Sequence, residues 1–350
     1  MTMRFGNPDR PNSYIGKTVP RPNAGRLVQG RGQYVDDIVL PRMVHVVFVR
    51  SPYAHAKIKG IDASEALAVK GVLRVFTGAD IAAVCTPWVG VLAHLKGLKS
   101  PPEYAIAVDR AAWVGEPVAA VVASTRLVAE EAAALVDVDY DPLPEVTDMM
   151  TALDDATPVL HPDMGDNLAF ERTHVEGDID AAFASAHKVI EAHFKTGRHT
   201  GVTLEPRSIL VDWNPGEGQM TAWHATQAPH MVQVVLAEHL GMPESRVRVI
   251  CGDVGGSYGI KVHIYPDEVA TAAIAKIMAR PVKFIADRLE SFTTDIHARD
   301  HEIWGRIAVA EDGEILAFDI DDWTAIGAYS VYPRTSAIEG NQVVNLCGGP

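Results

Sequence analysis

Cysteine is nearly absent from these 350 residues. Only Cys85, Cys251 and Cys347 occur, far apart and with no CxxC pair. That excludes a local iron–sulfur or zinc ligand cluster and fits a reducing compartment. Long apolar runs are also missing: none reaches the ~20 residues of a membrane span. The opening MTMRFGNPDRPN lacks the apolar core of a signal peptide, so a cytoplasmic location is expected. Positive charge is in deficit, with 31 Lys+Arg against 45 Asp+Glu and a net charge of −14. This argues against nucleic acid or an anionic membrane as partner. Several motifs are absent: the GKS or GKT ending of a P-loop, a dinucleotide fingerprint, HExxH, and the GxSxG elbow of a hydrolase. Gly30-Arg31-Gly32 has no third glycine in register. His297, Arg299, Asp300 and His301 fit no common metal spacing and read as a polar strand entry.

What the chain does have is a glycine-dense turn between two periodic segments. Residues 252–268 read GDVGGSYGIKVHIYPDE. The β-rich run Val247–Ile250 precedes the turn, and a helix pattern follows from Pro266 to Ala279. Glycine removes the Cβ that blocks close approach, and successive N–H groups can converge on an anionic or oxo-bearing ligand. A conformational role alone would also call for glycine in such a turn.

Elsewhere the pattern mixes strands and helices in α+β fashion, over a length that calls for two or more domains. Residues 1–24 read as an extended arm. A first unit spans 25–148, with buried strands at Val44–Arg50 and Val118–Ala123. Short helices are expected at Ala63–Val69 and Ala79–Ala83. Thr125 is the expected N-cap of a helix over Leu127–Leu135, and Val136–Tyr140 is a half-buried strand broken by Asp141-Pro142-Leu143-Pro144. Residues 149–168 form a linker, and a second unit runs from 169 to 350. Its strands are expected at Val189–Lys195, Ser208–Trp213, Met220–His224, Val282–Ala286, Ile303–Ala310 and Ile315–Trp323. A helix should run from about Pro229 to Leu240, stopped by Gly241. Asp287, Arg288 and Glu290 read as a solvated charged turn, with a network bracing the glycine loop as the alternative. Glu205 and Arg207 are expected to tie their strand to its neighbour.

Several segments together resemble one family. GRGQYVDDIVLPRMVHVVFVRSPYAHAKI (30–58), VGEPVAAVVA (114–123) and VDYDPLPEV (138–146) are similar to an α/β-hammerhead domain. LEPRSILVDW (204–213), TQAPHMVQVVLAEHLGMPESRVRVI (226–250), GGSYGIK (255–261), RPVKFIADRLESF (280–292) and GAYSVYP (327–333) resemble a first molybdopterin-binding region. The chain thus resembles the N-terminal half of the molybdopterin-binding large subunit of the xanthine oxidase and aerobic carbon monoxide dehydrogenase family.

The resemblance implies an α/β-hammerhead domain followed by a mixed α/β molybdopterin-binding domain. It implies a molybdenum–molybdopterin cofactor, in plain or cytosine-dinucleotide form, with the metal held by the pterin dithiolene and by no protein side chain. The implied reaction hydroxylates an N-heterocycle or an aldehyde with oxygen from water. Electrons leave to [2Fe-2S] and FAD partner subunits. Gln227 falls on the family's TQ motif, where the amide hydrogen-bonds a terminal ligand of the metal; capping the following helix is the plainer reading. Gly255, Gly256, Gly259 and Lys261 match the family's GGGFGGK, while Ser257 and Ile260 replace glycines. Tyr258 replaces the phenylalanine bordering the substrate channel and adds a hydroxyl. Gln227 and Tyr258 are thus the implied catalytic positions, and Gln227 with Gly255, Gly256, Ser257, Tyr258 and Gly259 the implied cofactor contacts. Val262 stands where purine-oxidising members carry a glutamate, which makes a purine substrate a poor expectation. The family's catalytic glutamate and second molybdopterin-binding region are expected to lie outside this chain, on a further polypeptide or a missing C-terminal half. A non-catalytic docking module for the iron–sulfur and flavin partners is the alternative.

Overall fold

The computed structural model describes residues 14, 17–90 and 97–333. A seven-stranded sheet forms its centre, in the order β10-β9-β8-β11-β1-β5-β3. From the N-terminal part come β1 (Val44–Arg50), β3 (Val72–Thr77) and β5 (Pro117–Ala123). From the later part come β8 (Ser208–Asn214), β9 (Gln219–His224), β10 (Val247–Ile250) and β11 (Val282–Ile285). The two groups meet where β1 pairs with β11 in parallel, Val44 opposite Val282. The core therefore runs across residue 148 within one sheet. Phe48 and Phe284 lock that junction edge to face, with ring centroids 5.2 Å apart.

β5 is buried along its whole length, which its sequence PVAAVVA anticipates. Ala120 and Val122 face the main core, and Val121 faces the opposite side, against Ala66 and Ala132. Those two residues come from helices α2 (Ser64–Ala68) and α4 (Arg126–Ala133). Thr125 caps α4 as expected, accepting from the Val128 N–H at 3.3 Å. The remaining helices are α1 (Ala24–Val28), α3 (Gly78–Ala82), α5 (Ile179–Ser185), α6 (Pro229–His239), α7 (Pro266–Met278) and α8 (Arg288–Thr294). Helix α7 lies against β8 and β11, and residues 266–275 of it are all buried.

Two three-stranded antiparallel sheets flank the centre. One orders β4 (Arg110–Ala111), β2 (Ala56–Asp62) and β6 (Asp137–Pro142). The other orders β13 (Ile315–Thr324), β12 (His301–Val309) and β7 (Lys188–Thr196). The turn between β12 and β13 closes at Gly313, whose φ is +91°.

Some expectations need amendment. Strand β6 continues through Asp141 to Pro142, because Pro142 pairs opposite Ala56 at the end of the ladder, where the missing N–H costs nothing. Asp287, Arg288 and Glu290 do not form a solvated turn. Asp287 and Glu290 make a capping box at the start of α8, each accepting the other's backbone N–H. Strands β2 and β3 were not anticipated. Gly327–Pro333, the last quoted segment, is described; Cys347 and the rest of GNQVVNLCGGP lie outside the described residues. Among the described residues no helix is long and apolar enough to cross a membrane.

Candidate cofactor-facing site

Strand β10 delivers the chain into the glycine loop. Its first turn is held by the N-terminal segment: Arg26 donates to both oxygens of Asp253 at 2.7 and 2.6 Å, and the Gln33 N–H donates to Asp253 at 2.8 Å. The Arg26 guanidinium and the Gln33 N–H hold the Asp253 carboxyl down at about 2. Gly255 follows, hard against Glu205. A Cβ there would lie 2.5 Å from the Glu205 Cβ, so no other residue fits without movement. Gly256 and Gly259 have φ of +102° and +95°, in the left-handed region that favours glycine. Tyr258 is held at φ +50° between them, with 77% of its surface exposed. That backbone costs a tyrosine about 1 kcal/mol or more.

The N–H groups of residues 256–259 have no protein partner among the described residues. Gly255 differs, since its N–H donates to Glu205 Oε2 at 2.6 Å. The loop closes into a short turn, with the Ile260 N–H donating to Ser257 O at 3.0 Å. Tyr265 braces the exit. Its hydroxyl donates to the Ile260 carbonyl at 2.8 Å, and the Arg207 guanidinium lies 3.8 Å from its ring centroid.

Gln227 lies beside this loop. The Ser257 hydroxyl donates to Gln227 Oε1. The Gln227 N–H donates to the Lys261 carbonyl at 2.9 Å, and the Thr226 hydroxyl donates to the same carbonyl at 3.1 Å. Gln227 does not cap α6: the N-cap is Ala228, with no side-chain cap, and Pro229 opens the helix. The side-chain Nε2 of Gln227 is left without a protein partner among the described residues. The fold thus brings Gln227, Gly255, Gly256, Ser257, Tyr258 and Gly259 into one patch.

Glu205 and Arg207 do not serve the neighbour-strand role read from sequence. Glu205 binds the loop. Arg207 enters a buried cluster, donating to Asp267, Asp295 and Thr294 at 2.6–2.9 Å. No local signal marks these pairings, because the partners lie 50 to 88 residues away in the chain. His301 enters β12 buried against Asp322 at 2.8 Å, a polar strand entry as read. Among the described residues no group of three or more His, Cys, Asp or Glu is placed to hold a metal ion.

Residues 160–348 match the family model of the molybdopterin cofactor-binding domain, and residues 29–144 that of the aldehyde oxidase and xanthine dehydrogenase a/b hammerhead domain. The chain belongs to the molybdopterin-binding large subunits of the xanthine dehydrogenase and carbon monoxide dehydrogenase family. The nicotine 6-hydroxylase large subunit of Paenarthrobacter nicotinovorans is 36% identical over 96% of this chain and 41% of its own length. The carbon monoxide dehydrogenase large chain of Hydrogenophaga pseudoflava is 34% identical over 93% of this chain and 41% of its own. Quinoline 2-oxidoreductase from Pseudomonas putida 86 superposes with a TM-score of 0.90 at 34% identity, covering 94% of this chain and 42% of that one. The chain spans about two-fifths of the length of these relatives.

Proposed function

We propose that this chain supplies the cofactor-facing wall of a molybdenum hydroxylase that oxidises a small N-heterocycle, with aldehydes as the second substrate class. The observation that carries the reading is the Gln227 amide beside four successive N–H groups, at residues 256–259, that have no protein partner among the described residues. The residues present fit a molybdopterin group. Gly255 leaves no room for a Cβ, Gly256 and Gly259 allow close backbone approach, and the donors are neutral. The group, when bound, supplies two-electron oxidation of a substrate carbon with oxygen from water.

The chain's own residues do the rest. The backbone of residues 256–259 and the Gln227 Nε2 present hydrogen-bond donors without adding charge. The Ser257 hydroxyl holds the Gln227 side chain by its oxygen, which fixes the donor end outward. Gly255 contributes space rather than an N–H, since Glu205 takes that hydrogen. Tyr258 stands exposed at the rim, where its hydroxyl would meet a polar substrate. Electron transfer to [2Fe-2S] and FAD subunits, the cytosine-dinucleotide form of the pterin, and dependence on the remainder of the large subunit belong to this proposal. They are supported by the shared family and by the chain's two-fifths coverage of its relatives. Residues 25–148 and 169–350 would then be the hammerhead and molybdopterin-binding portions. An N-heterocycle is favoured by the two relatives named for one, the nicotine 6-hydroxylase and the quinoline 2-oxidoreductase. The test is elemental analysis of the assembly purified from its host, followed by substrate screening with an artificial electron acceptor. About one molybdenum per chain and turnover of a pyridine or quinoline are expected. Absence of molybdenum would leave the docking-module reading.

A further inference from the structure

We infer that Glu205 is a positioning residue that clasps both ends of the glycine loop and, through Lys261, sets the place of Gln227; this rests on the loop being the cofactor-facing element proposed above. A single carboxylate oxygen makes both attachments. Glu205 Oε2 accepts from the Gly255 N–H at 2.6 Å and from Lys261 Nζ at 2.8 Å. Gly255 opens the loop and Lys261 closes it, so the carboxylate spans the whole turn. The backbone reinforces the first attachment, with the Glu205 N–H donating to the Gly255 carbonyl at 3.1 Å. Glu205 is itself fixed from behind, where the Thr203 hydroxyl donates to its carbonyl at 2.6 Å.

The second attachment reaches Gln227. The Lys261 side chain is wholly buried, and a buried ammonium requires a paired anion. With Nζ tied to Glu205, the Lys261 carbonyl is presented to the Gln227 N–H and the Thr226 hydroxyl. One carboxylate therefore sets three segments: the loop entry, the loop exit and the TQ pair. It also consumes the Gly255 N–H, so the donors left for a ligand begin at Gly256. Glu205 Oε1 is buried with no partner among the described residues, so the clasp depends on Oε2 alone.

The test uses the assembled enzyme purified from its host. The double variant Glu205→Leu/Lys261→Met removes both charges at similar volume and should keep the fold. Amide exchange at Gly255 is expected to quicken about tenfold. Molybdenum per chain should fall severalfold, and the electron paramagnetic resonance spectrum of the metal that remains should change. Lys261→Met alone should leave Gly255 protected. If the double variant does not fold, Glu205→Gln tests the Lys261 arm. It keeps an acceptor for the Gly255 N–H, so Gly255 should stay protected. It loses the charge that pairs Lys261, so the metal content and spectrum should change, and an unaltered content and spectrum overturns the positioning role. Unchanged exchange at Gly255 in the double variant overturns the clasp. Faster exchange with unaltered metal content and spectrum overturns the positioning role, since a mere brace would behave that way. A parent assembly without molybdenum would sink the proposed function instead, while Gly255 exchange in the same samples still decides the clasp.

Discussion

Arg207 donates to both carboxylate oxygens of Asp267, at 2.7 and 2.9 Å, and neither side chain reaches solvent. Burial alone would raise the Asp267 carboxyl, but the guanidiniums of Arg207 and Arg50 override it and hold the group well below the ordinary range. Burial pushes Asp295 up, although Arg207 Nε donates to its Oδ1 at 2.6 Å, and its Oδ2 has no partner among the described residues. Asp267 is therefore the principal counter-ion. Asp267→Asn leaves a buried guanidinium short of its main partner, and a loss of about 3–5 kcal/mol is expected. Arg207→Lys keeps the charge but not the planar fork, so it should lose less. Thermal melts of both variants check the order.

Gly255 gives a second prediction on stability and site together. Gly255→Ala places a methyl 2.5 Å from the Glu205 Cβ, and backbone stands on both sides of the contact. The loop must shift, at about 1–3 kcal/mol. Gly216→Ala, whose Cβ would meet only the Asn214 Oδ1 at 3.4 Å, should cost less. Denaturant midpoints compare the two, and an equal loss would sink the steric argument.

How much of this was legible beforehand follows from where the signal sits. β5 announces itself through an unbroken apolar run because it is buried on both faces, β10 through its β-branched residues, and α7 through its Pro266 start and apolar content. Strand β2, AKIKGID, is exposed over much of its length, and its short alternation breaks at Gly60, where the register also shifts, so the signal is too brief to mark a strand. The glycine loop and Gln227 were legible through the family pattern. Their coupling was not. Glu205 is joined to Gly255 and Lys261 across 50 and 56 residues, and no local spacing encodes a tertiary pair. The shared sheet was hidden for the same reason, since β1 and β11 are read as strands separately but their parallel register exists only in the fold.

Gln227 is exposed, and its side-chain contact is the Ser257 hydroxyl. Gln227→Ala should therefore change stability by no more than about 0.5 kcal/mol. Turnover by the assembled enzyme should fall on the order of 10²-fold or more, as expected for loss of one preorganised neutral donor. Gln227→Glu should be worse, because it exchanges the donor for an acceptor that carries charge. Steady-state kinetics beside a thermal melt separate the two effects. Full activity in Gln227→Ala would remove this residue from the site.

Glu116 yields the pH prediction. It is buried in β4–β5 surroundings with Glu103, Arg110 and Tyr329 as its charged and titratable neighbours. Burial pushes its carboxyl up from 4.5 to about 7, against the opposing pull of the Ala112 N–H, which donates to Oε2 at 2.6 Å. The folded chain thus retains a proton that the unfolded chain has already released. Between roughly pH 4.5 and 7 the native state binds more protons, so stability is fully present below that window and is lost as pH rises through it. The loss should approach about 3 kcal/mol at most. Glu116→Gln keeps an acceptor for the Ala112 N–H and cannot ionise. Its melting temperature should match the parent near pH 4.5 and exceed it by a growing margin toward pH 8. A gap that stays constant across that range would show that Glu116 does not titrate within it.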